Sequence, residues 1–113
     1  MFKIQLMPQS NRNIEYKHTV ITVNGAVITY DGVEYDFSGL PDNCEVEPQY
    51  PAVGKIKKVN GLISISLMYI YNSNLAETVQ SIDALDYEFF VDAGEVPCPI
   101  VWLPEPVEGE ENV

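Results

Sequence analysis

Residues 21–42 read ITVNGAVITYDGVEYDFSGLPD, and the fold turns on how that stretch is punctuated. Asn24-Gly25 and Asp31-Gly32 are favoured two-residue type I′ hairpin turns, because both central positions need positive φ and Asn, Asp and Gly reach it at low cost. The turns leave three predicted strands, 19–23, 26–30 and 33–37. With two-residue loops, Val23 faces Ala26 and Ile21 faces Ile28 across the first turn. Across the second, Tyr30 faces Val33, Ile28 faces Tyr35 and Ala26 faces Phe37. Side chains alternate with a period of two, so all of these share one side of the ribbon. The other side collects Val20, Thr22, Val27, Thr29, Glu34 and Asp36. A one-residue slip at either turn would push carboxylates into the apolar side, so the register is strongly specified. Gly39-Leu40-Pro41 ends the meander.

Beyond a Pro-rich acidic connector, PDNCEVEPQYPAVG (residues 41–54), the same turn signal recurs at Asn60-Gly61 between GKIKKV and LISISLMYIY. In a two-residue register Val59 faces Leu62, Lys57 faces Ser64 and Lys55 faces Ser66, while Ile56 faces Ile65 and Lys58 faces Ile63. One face is polar and carries lysines; the other is mostly apolar. From Leu67 to Tyr71 both faces are apolar or aromatic, which predicts a strand entering the centre of the fold or a partner. Asn74 as an N-cap with Glu77 three residues later, followed by Leu75, Val79 and Ile82 on one side, predicts a helix of two turns. YEFFVDAGEV (residues 87–96) reads as a strand with Tyr87, Phe89 and Val91 on one face, and Ile100–Leu103 as an edge strand held extended by its prolines.

At 113 residues, 46% hydrophobic and 20% charged, the chain is expected to form one domain over residues 1–103. Residues 104–113, PEPVEGEENV, have no apolar period and read as a disordered acidic tail. These elements predict an all-β fold: a small antiparallel sandwich or open barrel built from a three-stranded meander plus a hairpin, with at most one short helix.

The formal net charge is −11. Such a chain is repelled by nucleic-acid phosphate and by anionic lipid, so direct binding to either is not expected. Lys55, Lys57 and Lys58 are three of the six basic residues. They either pair with Glu34 and Asp36 across the sheet or dock an acidic partner. Cys44 and Cys98 stand alone, and His18 is the sole imidazole, so neither a zinc site nor a disulfide framework is expected; two reduced thiols are. A calcium loop from Asp31, Glu34 and Asp36 lacks EF-hand spacing. MFKIQLMPQS has no apolar core long enough for a signal peptide, and LISISLMYIY is too short to span a bilayer. The expected product is cytosolic.

Catalytic signatures are missing from the sequence: no G-x-S-x-G, no Gly-rich phosphate loop between strand and helix, no H-E-x-x-H. Seventeen acidic residues make some close carboxylate pair inevitable, so such a pair would carry little information toward a glycosidase. The expectation is no enzyme, with no catalytic residue, no cofactor and no metal.

FKIQLMPQS at the start, VITYDGVEYDFSGLPD in the ribbon and VGKIKKVNGLISISL in the hairpin together resemble a family of small proteins encoded by tailed bacteriophages and prophages, often beside tail or tail-fibre genes. Members pair an Asn-Gly or Asp-Gly turn with an aromatic-Asp-Phe-Ser segment ending in Leu-Pro. A G-x-x-x-[KR]-[VI]-x-G-x-[LI] hairpin and an acidic Pro-Val-Glu tail follow. The likeness covers the first two thirds of the chain and the tail composition. The stretch 71–90, YNSNLAETVQSIDALDYEFF, departs from a more Pro-rich pattern.

The resemblance implies a noncatalytic accessory protein of the tail module, either a minor virion component or a tail-fibre assembly factor. It would act by contact with a phage tail or tail-fibre protein, in the cytoplasm of the bacterial host or within the virion. Homo-oligomerisation is left open. The alternatives are a host-directed inhibitor such as an acidic DNA mimic, and an acidic hydrolase. The predicted partner surface is Tyr69, Tyr71 and Trp102, with Lys55, Lys57 and Lys58 as a charged rim. The competing assignment for those aromatics is the core.

Overall fold

Phe2, Ile4 and Leu6 alternate with Lys3 and Gln5, and that alternation builds β1 (Phe2–Asn11), whose three apolar side chains are fully buried. The computed structural model describes residues 1–104, and β1 lies near the middle of the larger of its two sheets. That sheet runs β5 (Cys44–Val46), β6 (Ile56–Val59), β7 (Leu62–Asn72), β1, β8 (Glu88–Val91). The smaller runs β4 (Val33–Asp36), β3 (Val27–Tyr30), β2 (Ile21–Asn24), β9 (Ala93–Glu95). The protein is an all-β sandwich. The pairings are antiparallel except β1 with β7, which is parallel from Phe2↔Ile63 to Asn11↔Asn72. Parallel neighbours need a long crossover, and here the smaller sheet supplies much of it.

The two later turns form as their sequence predicts, with positive φ at Asp31 and Gly32 and at Asn60 and Gly61. Tyr30 pairs with Val33 and Val59 with Leu62. The first turn is displaced by one residue. Its loop is Gly25-Ala26, with Asn24 opposite Val27, and only Gly25 of the pair has positive φ. Gly at the first central position with a negative φ after it is the type II′ pattern. Moving a turn by one residue shifts every partner by two, so Ile21 meets Tyr30 and Val23 meets Ile28 on the same face as expected. Those four are buried, whereas Val33 at the sheet margin stays 55% exposed.

The core lies between the sheets, with Phe2, Ile4, Leu6, Ile63, Ile65, Leu67 and Tyr69 on one side and Ile21, Val23, Ile28 and Tyr30 on the other. Phe37, beyond β4, meets the Phe2 ring edge-on at 5.8 Å. Beyond β6, the long edge of β7 is covered piecewise. Val53 N donates to Ser66 O, Met68 N to Pro51 O, Thr19 N to Ile70 O, and Asn72 N to Lys17 O. At Met68 the carbonyl has no backbone donor in that series and accepts instead from the Tyr30 hydroxyl at 2.7 Å, a bond that ties the two sheets together.

Three further expectations are corrected. The capping-box helix at 74–82 does not form: Glu77 N donates to Val101 O and Leu103 N to Leu75 O, so this backbone is spent on the C-terminal segment. Val79 and Ile82 consequently point to solvent. The one helical element among the described residues is a 3-10 turn, Ala84–Tyr87, capped by Asp83. Second, Ile100–Leu103 is an isolated bridge, Ala76↔Trp102, rather than an edge strand. Third, the connector contains β5, which pairs Glu45 with Lys57 and becomes the sheet edge. The predicted acidic tail lies outside the described residues from Glu105 onward. Among the described residues no helix is long and apolar enough to cross a membrane.

Candidate functional site

The two sides of the sandwich are built differently. On one, β8 runs into β9 with only Asp92 between them, so one stretch of chain passes from the larger sheet to the smaller and joins them. On the other, β4 and β5 are each the last strand of their own sheet, joined by residues 37–43. Between them opens a cleft of about 490 Å³. Its floor is apolar, from Ile28, Tyr35 and Phe37 on the β3–β4 side and Val46, Ile56 and Leu67 on the other. Tyr50 and Pro51 also line it, with the Tyr50 ring edge-on to Tyr30 at 6.1 Å. Glu34, Asp36 and Glu47 lie on the rim, and no lysine or arginine lines it.

Hydrogen bonding accounts for part of that rim. Asp36 Oδ1 accepts from Ser38 N at 2.8 Å, which closes the turn after β4 and holds the Asp36 carboxyl below its usual range. Asp31 Oδ1 similarly accepts from Val20 N at 2.8 Å. These carboxylates serve turn geometry, and among the described residues no group of three or more His, Cys, Asp or Glu is placed to hold a metal ion. Glu34 and Asp36 take part in no ion pair among the described residues.

The predicted aromatic surface is taken apart by the fold. Tyr69 is 2% exposed, and burial, followed by a hydrogen bond with Cys98, pushes its phenol well above the usual range. Its hydroxyl lies 2.8 Å from His18 Nδ1, which is also 2.7 Å from the Thr19 carbonyl oxygen. Tyr71 and Trp102 are half-buried and meet edge-on at 6.4 Å; the Lys17 ammonium sits 4.7 Å over the indole. Trp102 thereby pins the C-terminal segment to the 16–19 loop, and the trio is mainly internal packing.

Nor do the lysines rim those aromatics. Lys57 is opposite Ser64, seven residues from Tyr71 along β7, or about 23 Å at strand rise. Lys55 pairs with Glu45 at 3.2 Å and Glu47 at 4.0 Å, and Lys57 with Glu45 at 3.8 Å. Lys58 turns inward and donates to Leu40 O at 2.8 Å. Intramolecular pairing therefore occurs, but with Glu45 of β5 and Glu47 just beyond it: Glu34 and Asp36 belong to the other sheet. With Lys3, Gln5, Ser64, Ser66 and Glu88, Lys55 and Lys57 line a shallow polar depression of about 230 Å³. Cys44 and Cys98 are free and half-buried.

The cleft itself is invisible to local sequence patterns, because its walls come from segments as far apart as Ile28 and Leu67. The only pointers are that the two turn-defined ribbons each end in a short strand with nothing predicted beyond it. The chain matches no protein-family model, no curated protein and no solved structure.

Proposed function

We propose that this chain is a noncatalytic accessory protein of a tailed-phage tail module, made in the bacterial cytoplasm and acting by protein–protein contact. The observation that carries the contact reading is the open side of the sandwich: an apolar cleft between two strands that each lack an outer neighbour among the described residues. Sheet edges of this kind are managed liabilities in proteins that stay alone and binding platforms in proteins that do not. The tail-module setting is supported by the resemblance of the ribbon and hairpin motifs.

Quantitative mass spectrometry of purified particles and of the matching lysate tests the reading. A fixed copy number in particles makes the protein a minor virion component. Abundance in lysate, absence from particles and salt-resistant co-purification with a tail or tail-fibre protein make it an assembly factor. Lysate-only abundance with a host partner lost as salt rises would overturn the proposal in favour of a host-directed inhibitor.

A further inference from the structure

The edge of β4 carries its own specification. Phe37 N donates to Ala26 O, and in the register that pairs Tyr30 with Val33 this places Val33 and Tyr35 in hydrogen-bonded pairs with β3. In an antiparallel ladder the intervening residues turn their backbone groups the other way. The N–H and C=O of Glu34 and Asp36 therefore point away from β3, and among the described residues no strand lies beyond them. The side chains alternate too: Tyr35 is on the strand face turned to the core, while Glu34 and Asp36, at the rim of the cleft, are on the opposite face with Thr29 and Val27 as cross-strand neighbours.

We infer that the free edge of β4 accepts an extended segment of a partner protein in which apolar and basic residues alternate. This deepens the contact reading above and rests on it. An added strand meets Val33 and Tyr35 with its cleft-facing residues and Glu34 and Asp36 with its outward ones. Directly opposed side chains interact, so apolar residues suit the first set and Lys or Arg the second. A second copy of this chain is the wrong occupant. Antiparallel pairing of β4 with itself, faces matched, sets carboxylates against carboxylates and is disfavoured. The same carboxylates that block self-association select a basic partner. The apolar cleft beside the strand accommodates the inward side chains, with Tyr35, Phe37 and Val46 among its walls.

The test uses the full chain and three capped peptides: TKVKVKVKT, its block isomer TKKKKVVVT, and the acidic counterpart TEVEVEVET. The alternating basic peptide is expected to bind at least tenfold tighter than the block isomer, and the acidic one not measurably. On binding, amide exchange at Glu34 and Asp36 slows, while Val33 and Tyr35, already bonded to β3, change little. Glu34→Pro removes the outward N–H without taking a bond from β3 and is expected to abolish the preference for alternation. The double variant E34Q/D36N leaves the backbone intact and keeps that preference at reduced affinity, guarding against misfolding of the proline variant. Equal binding of the alternating and block peptides, no binding, or unchanged exchange at Glu34 and Asp36 overturns the inference. Particle content judges the contact reading separately, so a failed peptide with the protein fixed in particles condemns strand addition at β4 alone.

Discussion

Tyr30→Phe removes one oxygen atom and tests the account of how the two sheets are joined. The Tyr30 side chain is 3% exposed, and its hydroxyl donates to Met68 O at 2.7 Å, in the gap between the segments that cover β7 at Pro51 and at Thr19. Phenylalanine keeps the ring and leaves that carbonyl without its donor, which costs about 1.5 kcal/mol at neutral pH. For a domain of this size, Tm falls by about 4–8 °C.

The same burial pushes the phenol well above its ordinary value of 10.0. A raised folded-state value means full stability below the unfolded value and loss as pH rises through the folded one. Above pH 10 the unfolded chain ionises Tyr30 while the native state keeps it neutral, so the wild type loses about 1.4 kcal/mol per pH unit from this group. The variant has no such group and escapes that loss. The other tyrosines and the lysines titrate in both proteins and cancel. Urea unfolding from pH 8 to 11.5 should therefore show two stability curves that are offset at pH 8, converge above pH 10 and cross near pH 11. Parallel curves, or equal stability at pH 8, would refute the assignment of a buried, neutral, sheet-bridging hydroxyl.

Thr19 is 1% exposed and its Oγ1 accepts from Ile70 N at 3.0 Å, so Thr19→Val should cost about 1–3 kcal/mol in urea unfolding despite its near-identical shape. Gly61 sits at φ +81° with open space where a Cβ would go, so Gly61→Ala should lose about 1 kcal/mol through backbone strain alone, with the rest of the amide spectrum unmoved. Ile4 is fully buried, and Ile4→Ala should cost about 2–5 kcal/mol; a smaller value would place β1 outside the core. Lys57 and Glu45 are roughly half exposed, so Lys57→Gln should change stability by less than about 1 kcal/mol, and by less again in high salt.

Where local chemistry dictates backbone geometry, the chain is readable. Asp31-Gly32 and Asn60-Gly61 each demand positive φ, and each fixes a hairpin and its faces. Asn24-Gly25 is ambiguous, since a glycine can serve the second position of one turn type or the first of another. The face survives that ambiguity because the partners shift by two. The segment 2–6 shows strict alternation of Phe, Ile and Leu with Lys and Gln, a strand signal with no turn beside it to reveal a partner. Its partner is Ile63–Leu67, and a parallel pairing across that separation leaves no trace in either segment. At Asn74–Ile82 the capping box is genuine local chemistry that lost to tertiary bonds from Val101 and Leu103. Gln80 reinforces the outcome, since its side chain both accepts from Val101 N and donates to Val101 O, each at 2.8 Å. The aromatic residues near the end of β7 carry no label for core or surface. Residues 16–19 and the C-terminal segment decide it by closing over them.

The asymmetry of the sandwich explains why its open side carries such charges. β8 and β9 are also end strands of their sheets, but with only Asp92 between them they close that side of the sandwich by a short passage. β4 and β5 are each an edge, and the two are guarded differently. Glu45 of β5 is engaged by Lys55 and Lys57, so that margin is internally compensated. Among the described residues Glu34 and Asp36 of β4 have no such partners, and their charges repel a second β4 approaching in antiparallel register. An edge defended only against copies would be served equally well by lysines, which are the common device. Carboxylates leave the edge open to a cationic strand, and they stand beside an apolar cleft that such a strand can fill. The sign of the charge thus distinguishes a surface kept merely soluble from one kept for a partner of opposite sign, and charge reversal of Glu34 and Asp36 to lysine separates the two: solubility is retained in both cases, but only in the second is the preference for the alternating basic peptide transferred to its acidic counterpart.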